Sequence, residues 1–367
     1  MSPAPRRPRP KKVRGSSVVG QRFEAEVGPV AHGGHFVVRH ADRVVFVRHA
    51  LPGERVVVEL TEGTEGDRFW RGDAVEVLTA SPDRVVAPCP YAGPHLCGGC
   101  DFQHVALPGQ RSLKAAVVSE QLRRLAGLDV DVEVEPVPGD VDGLGWRTRQ
   151  RYVPLPGGRR GMRKHRSHEV VPVEKCLLEA PAGPSYEVRG ARFEVAEGGF
   201  WQVHPGAPEA LVSAVLEALD PQPGERALDL YAGVGLFSRF LKDVVGPDGR
   251  VCAVEGDAAA TRLAKRNVPG LHATAGDVGT VLTTAYDEPF DLVVLDPPRT
   301  GAKRKVVEQV VDRRPRAVAY VACDPAALAR DVAIFAEHGY VLTRLRAFDL
   351  FPMTHHVECV ALITPVT

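Results

Sequence analysis

A cysteine and a glutamate near the carboxyl end of the chain have the types and surroundings needed for nucleophilic chemistry. Cys323 ends the apolar run 317–323 and precedes a segment, opened by Pro325, that is typical of a helix start. A helix N-terminus carries partial positive charge, which favours the thiolate form of cysteine. Glu358 stands at the start of the last apolar run, 357–364, where its carboxylate is expected to approach the same sheet edge.

Two other features of this segment leave the reactivity of the cysteine open. Cysteine is frequently a small buried core residue with no chemical role. The carboxylate of the next residue, Asp324, would oppose thiolate formation if it faced Cys323. The interpretation of Cys323 as a nucleophile therefore depends on the orientation of Asp324.

The segment 228–237, Leu-Asp-Leu-Tyr-Ala-Gly-Val-Gly-Leu-Phe, is typical of a strand, a tight Gly-x-Gly turn and a helix start. Glycines in such a turn let the backbone approach a ligand closely. A dinucleotide fingerprint continues with a third glycine at the position of Ser238, which argues against NAD and FAD. Glu255 ends the next apolar run and is placed to accept hydrogen bonds from ribose hydroxyls. An adenosine ligand without pyrophosphate, such as S-adenosylmethionine, fits better, although an ordinary strand-turn-helix junction shares the pattern.

The sequence Asp296-Pro297-Pro298-Arg299 follows another apolar run, at the edge where open α/β sheets bind ligands. Two consecutive prolines fix the turn, because each locks φ and lacks an N–H donor. The turn can present the Asp296 carboxylate to a base or cofactor. A helix-capping aspartate beside a structural turn is the alternative.

Four cysteines in a loop-rich region indicate a metal site. Three of them are separated by seven and two residues, and a fourth follows later in the chain: Cys89, Cys97, Cys100 and Cys176. Soft thiolate ligands suit both tetrahedral zinc and an iron–sulfur cluster, and the spacing leaves both open. The odd total of seven cysteines does not fit a secreted disulfide framework and favours reduced thiols in the cytoplasm.

Basic residues are segregated along the chain although its net charge is zero. Residues 1–14 carry six Arg and Lys, and residues 147–168 carry eight, with no acidic residue in either segment. Two basic blocks on an otherwise acidic protein indicate a polyanionic partner such as a nucleic acid. The alternative is a solvated tail together with an exposed Arg-rich hairpin. The candidate contacts in the second block are Arg147, Arg149, Arg151, Arg163 and Lys164.

The pattern of the sequence predicts a multi-domain chain. Residues 1–15 form a basic, Pro-rich tail that is expected to be disordered. Residues 16–80 contain five short alternating runs separated by Gly-containing turns, which predicts a small β-barrel. Residues 81–195 contain the clustered cysteines, a helix-like run at 110–126 and the Arg-rich block, which indicates a central α+β domain. Residues 196–367 alternate apolar strands with helices, which predicts a doubly wound, largely parallel sheet.

The amino terminus and the hydropathy pattern give no indication of a membrane protein. No apolar run approaches the ~20 residues of a membrane span, and the basic N-terminus lacks the apolar segment of a secretory signal. We therefore expect a cytoplasmic protein, and we expect it to be a monomer.

Four ordered motifs carry a resemblance to a known family. They are LDLYAGVGLF at 228–237, LDPPRTG at 295–301, YVACDP at 320–325 and HHVE at 355–358. In this order and spacing they resemble the RNA 5-methyluridine methyltransferases of the RumA/TrmA type, and the resemblance covers nearly the whole chain after residue 15. It implies a TRAM-like, OB-like barrel, a class I Rossmann-like methyltransferase domain, and transfer of a methyl group from S-adenosylmethionine to carbon 5 of an RNA uridine.

The resemblance also implies roles for individual residues. Cys323 becomes the nucleophile of a covalent Cys–uracil intermediate, Glu358 the base that removes the carbon 5 proton, and Arg299 a contact to uracil or phosphate. Gln202 is carried over because FWQVH at 200–204 resembles the family's Phe-x-Gln-Val-Asn segment. The expected cofactor contacts are Gln202, Tyr231, Gly233, Glu255 and Asp296.

The chain departs from the family pattern at three positions, and the RNA target has alternatives. His204, Ala322 and Asp324 stand where the family has Asn, Ser and Asn. The cysteine set resembles the 4Fe-4S site of part of the family, with zinc the less favoured metal. That branch acts on ribosomal RNA, so 23S rRNA is the expected substrate and tRNA the alternative. A non-catalytic RNA-binding or assembly factor is a rival function, and an oxidoreductase is disfavoured by Ser238.

Overall fold

The computed structural model describes residues 15–366, so the predicted tail at 1–15 lies outside the described residues except for Gly15. The α-helices are α1 (Leu107–Ala126), α2 (Ala207–Leu219), α3 (Leu236–Val245), α4 (Ala258–Asn267), α5 (Val278–Val281), α6 (Lys303–Asp312) and α7 (Pro325–Glu337). The strands of the amino-terminal half are β1 (Arg22–Glu26), β2 (Val30–Ala31), β3 (His35–His40), β4 (Arg43–Arg48), β5 (Arg55–Glu62), β6 (Phe69–Thr79), β7 (Val134–Glu135), β8 (Val153–Pro154), β9 (Arg160–Arg163), β10 (Val170–Pro172), β11 (Glu187–Val188) and β12 (Ala191–Arg192). The strands of the carboxyl-terminal half are β13 (Arg226–Leu230), β14 (Arg250–Glu255), β15 (His272–Ala275), β16 (Leu292–Leu295), β17 (Ala317–Ala322), β18 (Tyr340–Phe348) and β19 (Glu358–Pro365).

The first six strands form a small barrel around a core of alternating apolar residues. Their order is β1-β5-β6-β4-β3-β2, and its two outer strands are consecutive in the chain. Gly28, between those strands, donates its N–H to the Val37 carbonyl of β3 at 2.9 Å, which closes the sheet. The sequence predicts five strands here. The sixth, β2, has two residues, too few for an alternating pattern to be recognised.

The carboxyl-terminal half folds around an eight-stranded sheet in the order β15-β14-β13-β16-β17-β19-β18-β7. All neighbouring strands are parallel except β19, which is antiparallel to both β17 and β18. Helices α2, α3 and α4 pack on one face, and α5, α6 and α7 pack on the other. The α/β architecture predicted for this half is therefore confirmed.

Helix α1 packs against both the barrel and the large sheet. It has a proline in its first turn and ends at Gly127, whose φ of 67° is left-handed. Leu113 and Val117 pack into the barrel core, whereas Val118 and Leu122 pack into the sheet core. The nearby strand β7 pairs with β18 in parallel. Part of the segment 81–195 thus contributes to the cores on either side of it.

The Arg-rich segment contributes two strands, β8 and β9, and the turn between them to a small three-stranded sheet in the order β10-β9-β8. A short 3₁₀ turn at Pro156–Gly158 connects β8 to β9. The described residues contain no helix that is both long enough and apolar enough to cross a membrane.

Candidate active site

Cys323 and Glu358 come together where β17 ends and β19 begins. The antiparallel register pairs Ala322 with Cys359, and its continuation puts Cys323 opposite Glu358. Directly opposed residues of an antiparallel pair project from the same face. Glu358 is buried, with 4% of its surface exposed, and Cys323 is half-buried. The fold thus places the predicted nucleophile and base next to each other.

Asp324 turns toward helix α7 and the barrel. One of its carboxylate oxygens accepts the Ala327 N–H at 2.8 Å and caps the helix. The other lies 3.3 Å from Nε2 of His32, which belongs to the barrel. The capping hydrogen bond and the His32 contact hold the pKa of Asp324 below its usual value despite burial.

The surroundings of Cys323 favour the thiol over the thiolate. Burial raises the pKa of Cys323 to about 12, with the charge of Glu358 adding to the shift and Arg299 opposing it. Burial and the neighbouring Asp296 raise the pKa of Glu358 well above its usual value. The expectation that the helix N-terminus favours a thiolate is outweighed here by burial and by the carboxylates around the sulfur.

The turn after β16 brings a third acidic group to this sheet edge. Asp296 donates its N–H to the Leu230 carbonyl at 3.2 Å, which holds the turn beside the glycine loop. Burial and the charges of Asp229 and Glu255 raise the pKa of Asp296 to about 7. Arg299, three residues on, is exposed at this edge and moderates the negative charge around Cys323 and Glu358.

The glycine loop has the backbone geometry expected for a ligand-binding turn. Tyr231, Gly233 and Gly235 have φ values of 66°, 55° and 89°, all left-handed. The space that a Cβ on Gly233 would occupy is open. Glu255 accepts the N–H of Gly233 at 2.8 Å and that of Asp257 at 2.7 Å, so it also holds the loop in shape.

Asp229 is a candidate cofactor-site residue to which the sequence analysis gives no role. It is fully buried, and its Oδ2 accepts both the N–H of Ser238 at 2.9 Å and the Ser238 hydroxyl at 2.5 Å. Its Oδ1 is buried without a hydrogen-bond partner among the described residues. An unpaired buried carboxylate oxygen beside an open glycine loop fits a ligand that carries a hydrogen-bond donor. The signal in the sequence was Ser238 itself, a hydroxyl that caps Asp229 in place of a glycine.

The FWQVH segment lies against the Arg-rich block. Gln202 is half-buried, and Val203 accepts hydrogen bonds from both the N–H and the hydroxyl of Thr148, each at 2.9 Å. His204 is buried, stacks on Trp146 with ring centroids 5.9 Å apart, and accepts the Gly206 N–H on Nδ1 at 3.1 Å. In this chain His204 is therefore held by the Trp146 ring and the Gly206 backbone, at the position where the family has asparagine.

The basic side chains predicted to contact RNA differ in their burial and in their hydrogen bonds. The Arg149 guanidinium donates to the Gly199 carbonyl at 2.6 Å, which ties the Arg-rich block to the residue just before the FWQVH segment. Arg147 is half-buried, whereas Arg151 is exposed.

Two further basic residues lie at the end of β9 and directly after it. The Arg163 guanidinium is 3.1 Å from Nδ1 of His168, and the Lys164 ammonium pairs with Glu169 at 2.6 Å. Both pairs are local and solvent-accessible, so they leave these cations able to exchange partners at little free-energy cost.

The four cysteines of the predicted metal site line one small cavity of about 20 Å³, together with Tyr91, Met162 and Lys175 among others. Burial raises the pKa of the thiols of Cys89, Cys97 and Cys100. Within residues 15–366, no group of three or more His, Cys, Asp or Glu side chains has a geometry that could hold a metal ion. The cysteines therefore converge on one place but do not form a coordination shell.

A cavity of about 150 Å³ opens beside Cys323. Its walls come from three parts of the fold: the β2–β3 turn of the barrel, the middle of α1, and the edge of the large sheet where β17 ends and β19 begins. The lining residues that bear polar groups are His32, Lys114, Arg299, Cys323, Asp324, His355 and His356. Such a cavity can receive a planar polar group and present it to the sulfur of Cys323.

Three family models match parts of the chain. The model described as tRNA (Uracil-5-)-methyltransferase matches residues 281–366, the TRAM domain model matches 16–75, and the Methyltransferase small domain model matches 210–319. The TRAM match falls on the six-stranded barrel, and the other two fall on the large sheet. The predicted TRAM-like barrel and methyltransferase fold are thus confirmed.

Relatives and solved structures agree with these models. An uncharacterized RNA methyltransferase of Streptomyces avermitilis is 44% identical over 95% of this chain and 99% of its own length. A 23S rRNA (uracil(1939)-C(5))-methyltransferase of Shewanella amazonensis is 30% identical over 94% and 96%. The Pyrococcus abyssi tRNA (uracil-54, C5)-methyltransferase, solved with S-adenosyl-L-homocysteine, shares the fold at a TM-score of 0.67 and 19% identity, covering 93% of this chain and all of that one. The chain therefore belongs to the family of RNA uracil-C5 methyltransferases, enzymes that depend on S-adenosylmethionine.

Proposed function

We propose that this protein methylates carbon 5 of a uridine in 23S rRNA through a covalent intermediate on Cys323. The observation that carries this proposal is the placement of Cys323 opposite Glu358 beside a cavity of about 150 Å³. A nucleophile and a base on one strand pair can act in turn on adjacent carbons of one ring. The cavity accommodates the target base, which must leave any stack to reach the sulfur.

The chemistry of the base explains why both residues are needed. Carbon 5 of uracil is a poor nucleophile, and addition of the Cys323 sulfur to carbon 6 converts the ring into an enolate. S-adenosylmethionine, when bound, would supply the electrophilic methyl group for carbon 5 and would leave as S-adenosylhomocysteine once its bond from sulfur to the methyl group breaks. Glu358 removes the carbon 5 proton, and the electron pair of that bond restores the double bond as the bond between carbon 6 and sulfur breaks. Cys323 is released as a thiolate and the ring carries the new methyl group.

The raised pKa values of Cys323 and Glu358 mean that the reaction must include proton transfers at both residues. Because burial and nearby carboxylates hold Cys323 as a thiol, its proton must pass to solvent water before the sulfur adds to the ring, and the released thiolate takes a proton back from water after turnover. Glu358 must be ionised when it accepts the carbon 5 proton, and burial favours its neutral form afterwards. Arg299 opposes both shifts and supports the charged forms.

The proposed cofactor site combines the glycine loop with the Asp296 turn. The residues that would hold S-adenosylmethionine are Gln202, Asp229, Tyr231, Gly233, Glu255 and Asp296. Asp229 offers its unpaired buried oxygen, and Glu255 offers a carboxylate that already shapes the loop. Asp296 lies between this loop and the Cys323–Glu358 pair along the sheet edge.

The choice of 23S rRNA follows the Shewanella amazonensis relative, which is similar to this chain over nearly its whole length. The family model that matches residues 281–366 is described for tRNA, so tRNA is the second candidate. The proposed RNA contacts are Arg147, Arg149, Arg151, Arg163, Lys164 and Arg299. The barrel, with a boundary near residue 80, and the segment 81–195 would hold folded RNA on the side of the cavity.

We further propose that the four cysteines, which do not form a coordination shell in this structure, close around a 4Fe-4S cluster when it binds, and that the cluster then fastens the loops around them. Support comes from the donor set, since three cysteines from residues 89–100 and a fourth at position 176 line one cavity. Protein purified without oxygen should be brown and contain iron, and Cys176→Ala should lose both. Cys252→Ala, a change at a buried cysteine of β14, is the matched control and should keep both. Zinc in place of iron would overturn the cluster assignment.

The function is tested with purified full-length protein and S-adenosylmethionine labelled in its methyl group. Label should appear as 5-methyluridine in 23S rRNA taken from cells that lack the gene, and tRNA from the same cells should remain unlabelled. Label in tRNA alone would transfer the activity to the second candidate. No label in either RNA would favour the non-catalytic interpretation and contradict the proposal.

A further inference from the structure

The β2–β3 turn of the barrel reaches the proposed catalytic edge. His32, Gly33 and Gly34 all line the cavity that contains Cys323. A Cβ on Gly34 would lie 2.7 Å from the Cβ of His355 and 3.2 Å from that of Asp101, so the turn is seated tightly. Gly34 also has a φ of 75°, which an L side chain rarely adopts. The turn is thus fixed against the segment that leads into Glu358.

His32 uses this position to meet the residue next to Cys323. Its Nε2 lies 3.3 Å from Asp324 Oδ2, with 40% and 22% of the two side chains exposed. The other oxygen of Asp324 is committed to the Ala327 N–H at the start of α7. The cation Arg330 also acts on the carboxylate from the next turn of that helix. One oxygen of Asp324 is therefore held by the start of α7, and the other is paired with His32 of the barrel.

The charge of Asp324 matters because the reacting sulfur is one residue away. A carboxylate near a thiol disfavours the thiolate, and Asp324 has this effect on Cys323. The family motif has a neutral asparagine at this position, so this chain carries a charge that its mechanism must accommodate. A partner that donates a hydrogen bond or positive charge to Asp324 reduces the extent to which this carboxylate disfavours the Cys323 thiolate.

We propose that His32 is a positioning residue for Cys323, which acts by pairing with Asp324 and thereby favours formation of the thiolate. The inference rests on the proposed function, since it assumes that Cys323 reacts as a thiolate. It assigns the barrel a part in the chemistry in addition to any contact with RNA. It also couples the departure at Asp324 to a residue 292 positions earlier in the chain.

The test measures the rate at which iodoacetamide alkylates Cys323 in the full-length protein without RNA. The tryptic peptide 317–330 contains Cys323 as its one cysteine, so mass spectrometry follows this site alone. His32→Ala should slow alkylation about threefold, as expected for the loss of a partly exposed contact between an imidazole and a carboxylate. His32→Gln, which keeps a side-chain N–H, should slow it less. His40→Ala, at a barrel histidine that stacks on Phe23, is the matched control and should leave the rate unchanged.

The same change in an Asp324→Asn background separates pairing from packing. Asp324→Asn should react at least as fast as the wild type, and adding His32→Ala to it should have no further effect. If His32 only packed the turn, its removal would expose Cys323 and speed alkylation in either background. Faster or unchanged alkylation in His32→Ala, or slowing by His32→Ala that persists in the Asp324→Asn background, would overturn the proposal.

The measurement is independent of methyl transfer, which keeps the two proposals apart. Absence of 5-methyluridine formation by the wild-type protein overturns the function and leaves the alkylation series interpretable. If the wild-type protein is active but His32→Ala leaves the alkylation rate of Cys323 unchanged, only the proposed pairing of His32 with Asp324 is overturned. Thermal unfolding midpoints of each variant confirm that the proteins compared are folded.

Discussion

Cys323 lies opposite Glu358 across the antiparallel β17–β19 pair, in the register that pairs Ala322 with Cys359. The antiparallel direction of β19 is what makes this possible, because it brings the start of one strand beside the end of another. The β2–β3 turn and α1 then enclose the same edge from the barrel side. The proposed chemistry thus depends on one strand that runs against the rest of its sheet.

The raised pKa of Cys323 predicts how its reactivity changes with pH. Far below a pKa of about 12, the thiolate fraction increases about tenfold for each pH unit. Between about pH 7 and pH 9 we therefore expect iodoacetamide alkylation of Cys323 to accelerate by that factor per unit, as measured by mass spectrometry of the 317–330 peptide. Glu358→Gln should speed alkylation wherever Glu358 is ionised in the wild type, because it removes a neighbouring negative charge. A plateau within this range would show that Cys323 is already ionised.

A buried ion pair between α1 and the segment after β18 predicts a large effect on stability. The Lys114 ammonium lies 2.5 Å from Asp349 with both side chains fully buried, and it also donates to the Phe351 carbonyl at 3.1 Å. Lys114→Met should lower the free energy of unfolding by about 3–5 kcal/mol, because it leaves Asp349 buried and unpaired. The measurement is urea denaturation followed by circular dichroism.

The double variant Lys114→Met/Asp349→Leu is the control for this prediction. Replacing both charges by apolar groups of similar size should restore most of the lost stability. Equal losses in the single and double variants would show that packing around α1, rather than the unpaired carboxylate, causes the effect.

The tight seat of the β2–β3 turn predicts a difference between two glycine substitutions. Gly34 and Gly53 have similar φ values of 75° and 79°, but a Cβ meets His355 only at Gly34 and open space at Gly53. Both Ala variants should lose about 1 kcal/mol of unfolding free energy to backbone strain. Gly34→Ala should lose further unfolding free energy to the contact with His355. It should also methylate RNA more slowly, because the turn must move away from the cavity. Equal stability and activity of the two variants would contradict the close packing at His355.

The sequence predicted the parts of the fold that have a strong local pattern. The strands around Cys323 and Glu358 are continuous apolar runs, and the helix expected at 110–126 forms over Leu107–Ala126. Strand β7 has only two residues and joins the sheet through β18, more than 200 residues later, so local periodicity could not indicate it. The domain to which α1 belongs was unpredictable for the same reason, since its two apolar faces enter different cores.

The candidate site shows the same division. Residue types and motif order were enough to single out Cys323, Glu358 and the glycine loop. They could not predict the orientation of Asp324, because its partner His32 lies in the barrel and only the tertiary fold brings the two residues together. A buried lysine such as Lys114 likewise has the appearance of a surface residue until Asp349 is seen beside it.

If Cys323 and Glu358 act in sequence on one uracil ring, Glu358→Gln should stop the reaction between their two steps. The variant should add to the target uridine and transfer the methyl group but fail to remove the carbon 5 proton. Incubated with S-adenosylmethionine and 23S rRNA, it should accumulate a protein–RNA adduct on a denaturing gel, with mass spectrometry locating a methylated uridine on Cys323. The companion variant Glu358→Gln/Cys323→Ala should form no adduct. Normal turnover by Glu358→Gln without an adduct, or 5-methyluridine formation by Cys323→Ala, would contradict this mechanism.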